Sequence, residues 1–282
     1  MQTHNELGRG RYARDLSHEP LQHAVLAWYD REGRDLPWRR TRDPYAILVS
    51  EVMAQQTQVG RVLVYYERWL ARWPTAAALA AASPAEVLTA WAGLGYNRRA
   101  LRLREAAVIV ARDGWPRDAA GLRRLPGVGP YTAAAVASFA FGEAVAAVDT
   151  NVRRVAARLG AEPAALLPPR RHSDWNQAAM ELGATFCTAR APRCGPCPAA
   201  PWCPSRGRVT VAPRARAGAP GRERFEDSDR WVRGRVIAAL VAGEALPSGI
   251  APDRLERAVA ALEHDGLVER DGAGLGVPRL PR

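Results

Sequence analysis

The sequence predicts an all-α body followed by a small second unit, and three observations support this. From about residue 20 to residue 200, apolar residues recur at helical spacing with short polar or Gly/Pro breaks, and the two-residue alternation of a half-buried strand is missing. The chain has 282 residues, of which 48% are hydrophobic, enough for one large core or two smaller ones. A basic stretch at 206–228, rich in Pro, Gly and Arg, is then typical of a linker.

Local signals place the starts of several body helices. A short polar side chain can accept hydrogen bonds from the first free N–H groups of a helix, and a proline in the first turn sacrifices no hydrogen bond. Such starts are expected at Asp43 with Pro44, Thr75, Ser83 with Pro84, and Asp149. Beyond the linker, we expect two amphipathic helices at 231–240 and 252–264, followed at 266–272 by a turn signature like the wing of a winged-helix module.

All four cysteines lie in one short segment with the spacing C-x6-C-x2-C-x5-C: Cys187, Cys194, Cys197 and Cys203. The first residues are polar and charged rather than a secretory signal, so a disulfide framework is a poor explanation. Four thiolates suit tetrahedral zinc or a [4Fe-4S] cluster. Zinc ribbons usually pair two C-x2-C turns, and only one is present here. We therefore predict a [4Fe-4S] cluster, with zinc and free or regulatory thiols as the alternatives.

The charge balance favours a polyanionic partner. The formal net charge is +11, and each phosphate that a basic side chain neutralises releases counterions and adds affinity. All 40 basic residues are arginine, which a GC-rich coding bias explains as simply as selection for binding. Without lysine, the chain cannot form a side-chain Schiff base with an opened sugar. The longest apolar stretch, 133–148, is too short for a membrane span, so we expect a cytosolic protein.

The segment LPGVG at 125–129 predicts a helix-hairpin-helix turn. Two glycines around one valine let the backbone turn tightly, so that its N–H groups and the following helix N-terminus can meet a DNA phosphate. Gly127, Val128 and Gly129 are therefore candidate DNA contacts. An ordinary turn between two helices is the alternative.

Seven motifs follow one another along residues 36–203. They are LPWR at 36–39, SEVMAQQTQV at 50–59, GLGY at 93–96, LPGVGPYTA at 125–133, VDTNVRRV at 148–155, ELGATFC at 181–187, and the cysteine run. In this order they resemble the helix-hairpin-helix base-excision DNA glycosylases with an iron-sulfur cluster, and among them the MutY-type adenine glycosylases. The resemblance implies a helix-hairpin-helix DNA glycosylase fold. Its six-helix barrel domain would span 41–150, its iron-sulfur helical domain 19–40 and 151–205, and the winged-helix-like unit would follow at 229–282.

Two carboxyl groups suit the chemistry of that family. Breaking the N-glycosidic bond of adenine requires a proton for the leaving base and a negative group beside the developing positive sugar. Glu51 shares a helix stripe with Ile47 and Leu48, so partial burial is expected to raise its pKa and keep it protonated near neutral pH. Asp149, at a helix start, is expected to remain a carboxylate. The resemblance gives both residues these roles and adds a transient covalent sugar adduct at Asp149. A solvated helix carboxylate and a simple N-cap are the alternatives.

The residue at position 131 separates subfamilies. By resemblance, Tyr131 and Asn151 line the catalytic pocket, Tyr131 touching the sugar or Asp149 and Asn151 positioning Asp149 or water. Endonuclease III-type glycosylases carry a lysine at this position and use it to nick the DNA backbone by β-elimination. The tyrosine, in a chain without lysine, predicts a monofunctional glycosylase that leaves an intact abasic site. An aromatic residue that only packs inward is the alternative.

An extruded base needs a pocket, and the gap it leaves in the stack needs a wedge. By resemblance to the family, the residues at the wedge and opposite-base positions are Gln56, Thr57, Leu94 and Tyr96. Gln55 is a further candidate substrate contact. Positions matching the pocket around the adenine are Arg34, Trp38, Arg39 and Gln177, of which Trp38 is expected to belong half to the core. Phosphate contacts or solvated surface charge are equally good expectations for Arg98, Arg99 and Arg153.

The sequence thus predicts a glycosylase for adenine opposite 8-oxoguanine or guanine in double-stranded DNA with mismatched or damaged base pairs. We expect a cytoplasmic, nucleoid-associated monomer. The alternatives are a thymine or uracil mismatch glycosylase and a non-catalytic DNA-binding iron-sulfur protein. MutY proteins usually end in a Nudix-like domain, for which the 79 residues after Cys203 are too few. The 229–282 unit is left with three possible roles: binding DNA, binding a partner protein, or packing on the body.

Overall fold

A computed structural model describes residues 18–210, 224–270 and 277–282. The helices of the body are α1 (Glu19–Glu32), α2 (Pro44–Ala54), α3 (Val59–Arg72), α4 (Ala76–Ala81), α5 (Pro84–Trp91), α6 (Arg98–Asp113), α7 (Ala119–Leu122), α8 (Pro130–Phe141), α9 (Thr150–Leu159) and α10 (His172–Thr185). The all-α prediction for the body is confirmed. Within the described ranges, no helix is both long and apolar enough to cross a membrane.

The second unit contains two helices and a short hairpin. These elements are α11 (Asp229–Ala242), α12 (Pro252–His264), β1 (Glu269–Arg270) and β2 (Pro278–Arg279), with the two strands antiparallel. Both predicted helices are confirmed. Residues 271–276, which include the end of the predicted turn signature, and most of the predicted linker, at 211–223, lie outside the described residues.

The predicted cap residues do begin their helices. The side chains of Asp43, Thr75, Ser83 and Asp149 accept backbone N–H groups in the first turns of α2, α4, α5 and α9. At α5 the bond is reciprocal, because Glu86 reaches back to the backbone N–H of Ser83. Each such cap contributes about 1 kcal/mol of helix stability.

The largest hydrophobic cluster surrounds α2 and α8. Both helices are apolar on nearly every side, and this pattern favours a central position in the core. Trp69 closes the cluster by packing edge-on against Trp73 and Trp91. The two buried helices carry Glu51 and Tyr131, so the largest core positions these side chains.

Two smaller clusters complete the structure. One joins α1, α9 and α10 to the cysteine segment, with Val25, Trp175 and Leu182 at its centre. The other joins α11 and α12, and includes Leu88 of α5, which is 1% exposed. The second unit therefore packs directly on the body. The domain boundaries drawn from the sequence stay a prediction.

Helices α9 and α10 approach closely at Gly183. A Cβ atom added there would lie 2.6 Å from Cβ of Asn151, closer than two carbon atoms tolerate. We expect Gly183→Ala to force the helices apart at a cost of about 1–3 kcal/mol. At about 2–4 °C per kcal/mol for a chain of this size, the thermal midpoint measured by circular dichroism should fall by several degrees. Gly60→Ala is the control, because a Cβ there meets no atom within 4 Å. Equal midpoints for the two variants would contradict this account of the helix contact.

Candidate active site

Glu51 and Tyr131 face each other from the two central helices. The Tyr131 hydroxyl donates to Sδ of Met180 at 3.5 Å and lies close enough to Glu51 to affect the pKa of its carboxyl group. Burial raises the pKa of Glu51 to about 7, and the charge of Asp149 adds to the rise, while the Tyr131 hydroxyl and Arg39 oppose it. A carboxyl group with this pKa holds a proton for a substantial part of the time at neutral pH. The predicted burial of Glu51 agrees with this geometry.

Asp149 lies at the N-terminus of α9, close to both groups. One carboxylate oxygen accepts the Val152 backbone N–H at 2.6 Å, and the other accepts Nδ2 of Asn151 at 2.8 Å. These two donors fix the position of the Asp149 side chain at the start of α9. Its charge acts on Glu51 and on Tyr131, so the two carboxyl groups belong to one site.

Glu181 on α10 is a member of this site that sequence reasoning missed. It is 2% exposed and binds two arginines, Nε of Arg34 at 2.6 Å and Nη2 of Arg39 at 2.8 Å. Burial opposes its ionisation, but the hydrogen bonds from both arginines outweigh burial and lower its pKa. The available signal was one acidic residue within the apolar segment Ala178–Leu182.

Arg39 connects this ion cluster to the acid and to a neighbouring polar pair. Its guanidinium lies 5.4 Å from the centre of the Tyr29 ring, and the Tyr29 hydroxyl donates to Oε1 of Gln177 at 2.9 Å. Three of the four residues expected around the extruded base, Arg34, Arg39 and Gln177, are thus brought together. The fourth, Trp38, packs edge-on against the Tyr66 ring at the border of the large core, as expected of a half-core residue.

Two exposed candidates sit at unusual backbone positions. Gln56 and Tyr96 adopt φ values of 57° and 50°, in the left-handed region that residues other than glycine seldom enter. Tyr96 is 53% exposed, whereas its neighbour Leu94 is 6% exposed and packs into the core. Side chains at Gln56 and Tyr96 are therefore free to meet a duplex, and the Leu94 side chain is covered.

The remaining candidates on this surface act through backbone or local contacts. In the hairpin, Gly127 and Gly129 are exposed, but the Val128 side chain is 7% exposed, so its backbone alone faces out. Gln55 donates to the Thr132 hydroxyl at 3.4 Å, and the Thr57 hydroxyl donates to the Gln55 carbonyl at 3.2 Å. These bonds hold the chain that follows α2.

Arg99 is not available to a phosphate, which corrects one of the sequence-based options. Its Nη1 donates to the carbonyls of Val52 and Gln55 at 2.7 and 2.6 Å, and its Nη2 donates to the Gly95 carbonyl at 2.9 Å. Burial lowers its pKa. The Arg99 guanidinium thereby links the C-terminal end of α2, just before Gln56, to the turn that contains Tyr96.

The four cysteines, all free thiols, line one small cavity together with Arg158, Phe186 and Arg193. Burial raises the pKa of Cys197, and the proximity of the other three sulfur atoms adds to the rise. Nη1 of Arg158 donates to Sγ of Cys187 at 3.2 Å. The four sulfur atoms thus border one cavity, and thiolate sulfur is the type of donor that the predicted cluster requires.

A second arginine joins the cysteine segment to the carboxylate pair. Nε of Arg154 donates to the Cys187 carbonyl at 2.7 Å, and its Nη2 donates to Oδ1 of Asn151 at 2.6 Å. Asn151 in turn donates to Asp149. Neither Arg154 nor Arg158 was singled out from the sequence, because a basic residue on a basic helix gives no sign of which partner it meets.

The raised pKa of Glu51 has a consequence for stability. Glutamate in the unfolded chain ionises near 4.5, whereas in the folded protein it does so near 7. Between these values the folded protein binds the extra proton, so this contribution is fully present below about pH 4.5 and is lost as the pH rises through 7. Glu51→Gln stays neutral. We expect it to match the parent protein at pH 4.5 and to exceed its unfolding free energy by about 2–4 kcal/mol at pH 8.5. Thermal melts at both pH values test this, and a pH-independent difference would contradict it.

The comparisons with known proteins point to one family. A family model described as HhH-GPD superfamily base excision DNA repair protein matches residues 49–172. The adenine DNA glycosylase of Mycolicibacterium smegmatis is 46% identical over 288 residues, which cover 92% of this chain and 95% of the relative. The adenine DNA glycosylase of Homo sapiens is 48% identical over 214 residues, 66% of this chain and 39% of the human protein.

Solved structures support the fold. A thermostable thymine-DNA glycosylase matches with a TM-score of 0.64 and 29% identity, covering 69% of this chain and 100% of that one. An endonuclease III in a non-covalent DNA complex matches with a TM-score of 0.58 and 24% identity, covering 68% of this chain and 97% of that one. With these matches and the relatives above, the chain belongs to the MutY-type adenine DNA glycosylases, within the HhH-GPD superfamily of base excision DNA repair proteins.

Proposed function

We propose that this protein is a monofunctional DNA glycosylase that hydrolyses the N-glycosidic bond of adenine paired with 8-oxoguanine or guanine. The observation that carries the proposal is the pairing of Glu51, whose pKa is raised to about 7, with the Asp149 carboxylate in one site. One group supplies a proton and the other a negative charge, which are the two requirements for breaking a sugar-base bond. The names of the relatives point to adenine as the base.

Glu51 acts as the general acid. A proton passes from its carboxyl group to a ring nitrogen of the extruded adenine, so that the base leaves as a neutral molecule when the bond to the sugar carbon breaks. The Tyr131 hydroxyl lies beside Glu51 and helps to orient that carboxyl group. Because the acid must be protonated, activity declines as the pH rises through about 7.

Asp149 stabilises the positive sugar that remains. Its carboxylate is held by the α9 N-terminus and Asn151, so no side-chain rearrangement is needed when the charge develops. The resemblance to MutY adds a transient bond between this carboxylate and the sugar carbon. Water then delivers a hydroxyl group to that carbon and releases the aspartate, while Glu51 recovers a proton. The products are free adenine and an abasic site.

The ion cluster beside Glu51 suits an adenine. Arg34 and Arg39 bring donors that fit acceptor nitrogens of a purine ring. Glu181 is covered and has both carboxylate oxygens bonded to these arginines, so its role is to position the two guanidinium groups.

We also propose a resident [4Fe-4S] cluster held by Cys187, Cys194, Cys197 and Cys203. Such a cluster would supply a covalent brace for the cysteine segment. Through Arg154, that brace would fix Asn151 and hence Asp149. The site as a whole is built by one chain, so we expect a monomer acting on double-stranded DNA, in the cytoplasm with the nucleoid.

Metal analysis tests the cluster. Protein purified without oxygen is expected to be brown and to contain about four iron and four sulfide ions per chain. Cys197→Ser should lower the iron content and the visible absorption. Arg190→Gln is the control, because Arg190 is an exposed residue between Cys187 and Cys194, and it should leave both quantities unchanged. One zinc ion per chain, without iron, would contradict the cluster and favour the zinc alternative.

A cleavage assay tests the activity. Duplexes with A opposite 8-oxoguanine, A opposite G, T opposite G, or U opposite G are incubated with the protein and then treated with or without alkali. We expect strand cleavage only after alkali and only in the adenine-bearing strand, because the chain has no lysine for β-elimination. Glu51→Gln should lose turnover by at least about a thousandfold while duplex affinity changes little.

Other outcomes are equally clear. Nicking without alkali would overturn the monofunctional proposal. Cleavage of the thymine or uracil strand alone would replace the adenine assignment by the mismatch alternative. Tight duplex binding without any base release would support the non-catalytic reading.

A further inference from the structure

A cavity of about 1050 Å³ lies between the body and the second unit. It is separate from the carboxylate site, since neither Glu51 nor Asp149 lines it. The body wall includes Gln56, Tyr96 and Gly127, which are the exposed members of the candidate duplex-contacting surface. The opposite wall comes from the second unit. We call this space the cleft.

The rim of the cleft is basic. The arginines that line it are Arg98, Arg102, Arg230 and Arg233, together with Arg99, whose guanidinium is occupied by backbone carbonyls, and the acidic residues are Asp229 and Asp265. Asp265 forms ion pairs with Arg98 of α6 and Arg233 of α11, so it ties the second unit to the body. An excess of cations around an open space attracts a polyanion.

Arg230 stands out among these residues. Its Nη1 donates to the Tyr96 hydroxyl at 3.2 Å, and its guanidinium lies 5.1 Å from the centre of the Phe225 ring. Within the described residues, no carboxylate pairs with Arg230 at salt-bridge distance. The second unit therefore places a positive charge and an aromatic ring beside the exposed tyrosine of the body.

The interior of the cleft is apolar. Its walls include Leu48, Leu103 and Val128 from the body and Leu262 and Leu267 from the second unit. Phe225 and Tyr96 are 51% and 53% exposed, so each offers a ring face. Aromatic faces stack on nucleobases, and arginines around them bind phosphates, which is the combination found in grooves for a single nucleic-acid strand.

We propose that the cleft receives the strand opposite the target adenine, with Arg230 bound to a phosphate of that strand and Phe225 against an unstacked base. This rests on the proposed function, which requires a bound duplex, and on Gln56 and Tyr96, which are exposed and line the cleft. The charge of the rim is complementary to DNA. The segment 211–223 has three arginines and one glutamate, the same net sign as the rim, so charge complementarity favours DNA as the occupant.

The test uses the full chain with Glu51→Gln, so that the duplex stays intact, and adds Arg230→Gln. Binding to a duplex with A opposite 8-oxoguanine is measured by fluorescence anisotropy over a range of salt concentrations. Loss of one phosphate contact should weaken binding roughly three- to tenfold and reduce the slope of log Kd against log salt by about one. Phe225→Leu should weaken binding roughly tenfold with an unchanged slope.

The control is Arg257→Gln on α12, an exposed arginine that pairs with Asp253 and does not line the cleft. It removes the same charge and should leave Kd and slope unchanged. Ethylation interference then identifies the strand. Ethylating one phosphate on the strand opposite the adenine should weaken binding of the parent protein and have no further effect on the Arg230 variant.

Several results would overturn the proposal. One is an unchanged Kd for both Arg230→Gln and Phe225→Leu. Another is an equal loss of affinity for the control Arg257→Gln. A third is that the Arg230 variant loses an interference signal on the adenine strand instead of the opposite strand. Failure of the proposed function is distinguishable, because it would show as no base release by the protein with Glu51 intact. In that case, a strand-specific loss at Arg230 would still support the cleft as a DNA-binding groove.

Discussion

Burial of the Glu51 carboxyl group is the constraint on which the rest of the active site depends. Glu51 is half-buried on α2, a helix whose apolar residues belong to the largest hydrophobic cluster, and burial is the main cause of its raised pKa. Arg39 is a positive charge that lowers this pKa, and burial outweighs it. Arg39 also pairs with the buried Glu181, so the same arginine links the acid to the ion cluster.

The cysteine segment and the carboxylate site form one continuous chain of hydrogen bonds. It runs from Cys187 through Arg154 to Asn151 and ends at Asp149. In this series of hydrogen bonds, Arg154 and Asn151 each have at least two partners, so a displacement of Cys187 must be taken up by the next bond in the series. The close contact of Gly183 with Asn151 leaves little space for such a shift. The position of the sugar-facing carboxylate therefore depends on how firmly the cysteine segment is held.

The sequence predicted those features that depend on neighbours in the chain. Caps such as Asp43 and Ser83 and the helical body follow from local pattern, whereas the pairing of Glu51 with Asp149 came from the family resemblance and stays a prediction. It did not predict the partners of charged residues. Glu181 was missed and Arg99 was given a possible phosphate, because an arginine that ends among backbone carbonyls looks the same in sequence as one in solvent. The covered side chains of Leu94 and Val128 show the same limit, since tertiary packing alone decides which side of a turn faces out.

The packing of Leu88 against α11 and α12 has a practical consequence. A shortened chain that ended before the second unit would uncover this leucine and the neighbouring Leu101, both of which contact the third cluster. Newly bared apolar surface promotes self-association. Poor solubility of such a fragment would then result from the exposure of Leu88 and Leu101. It would give no information about how the enzyme binds its substrate.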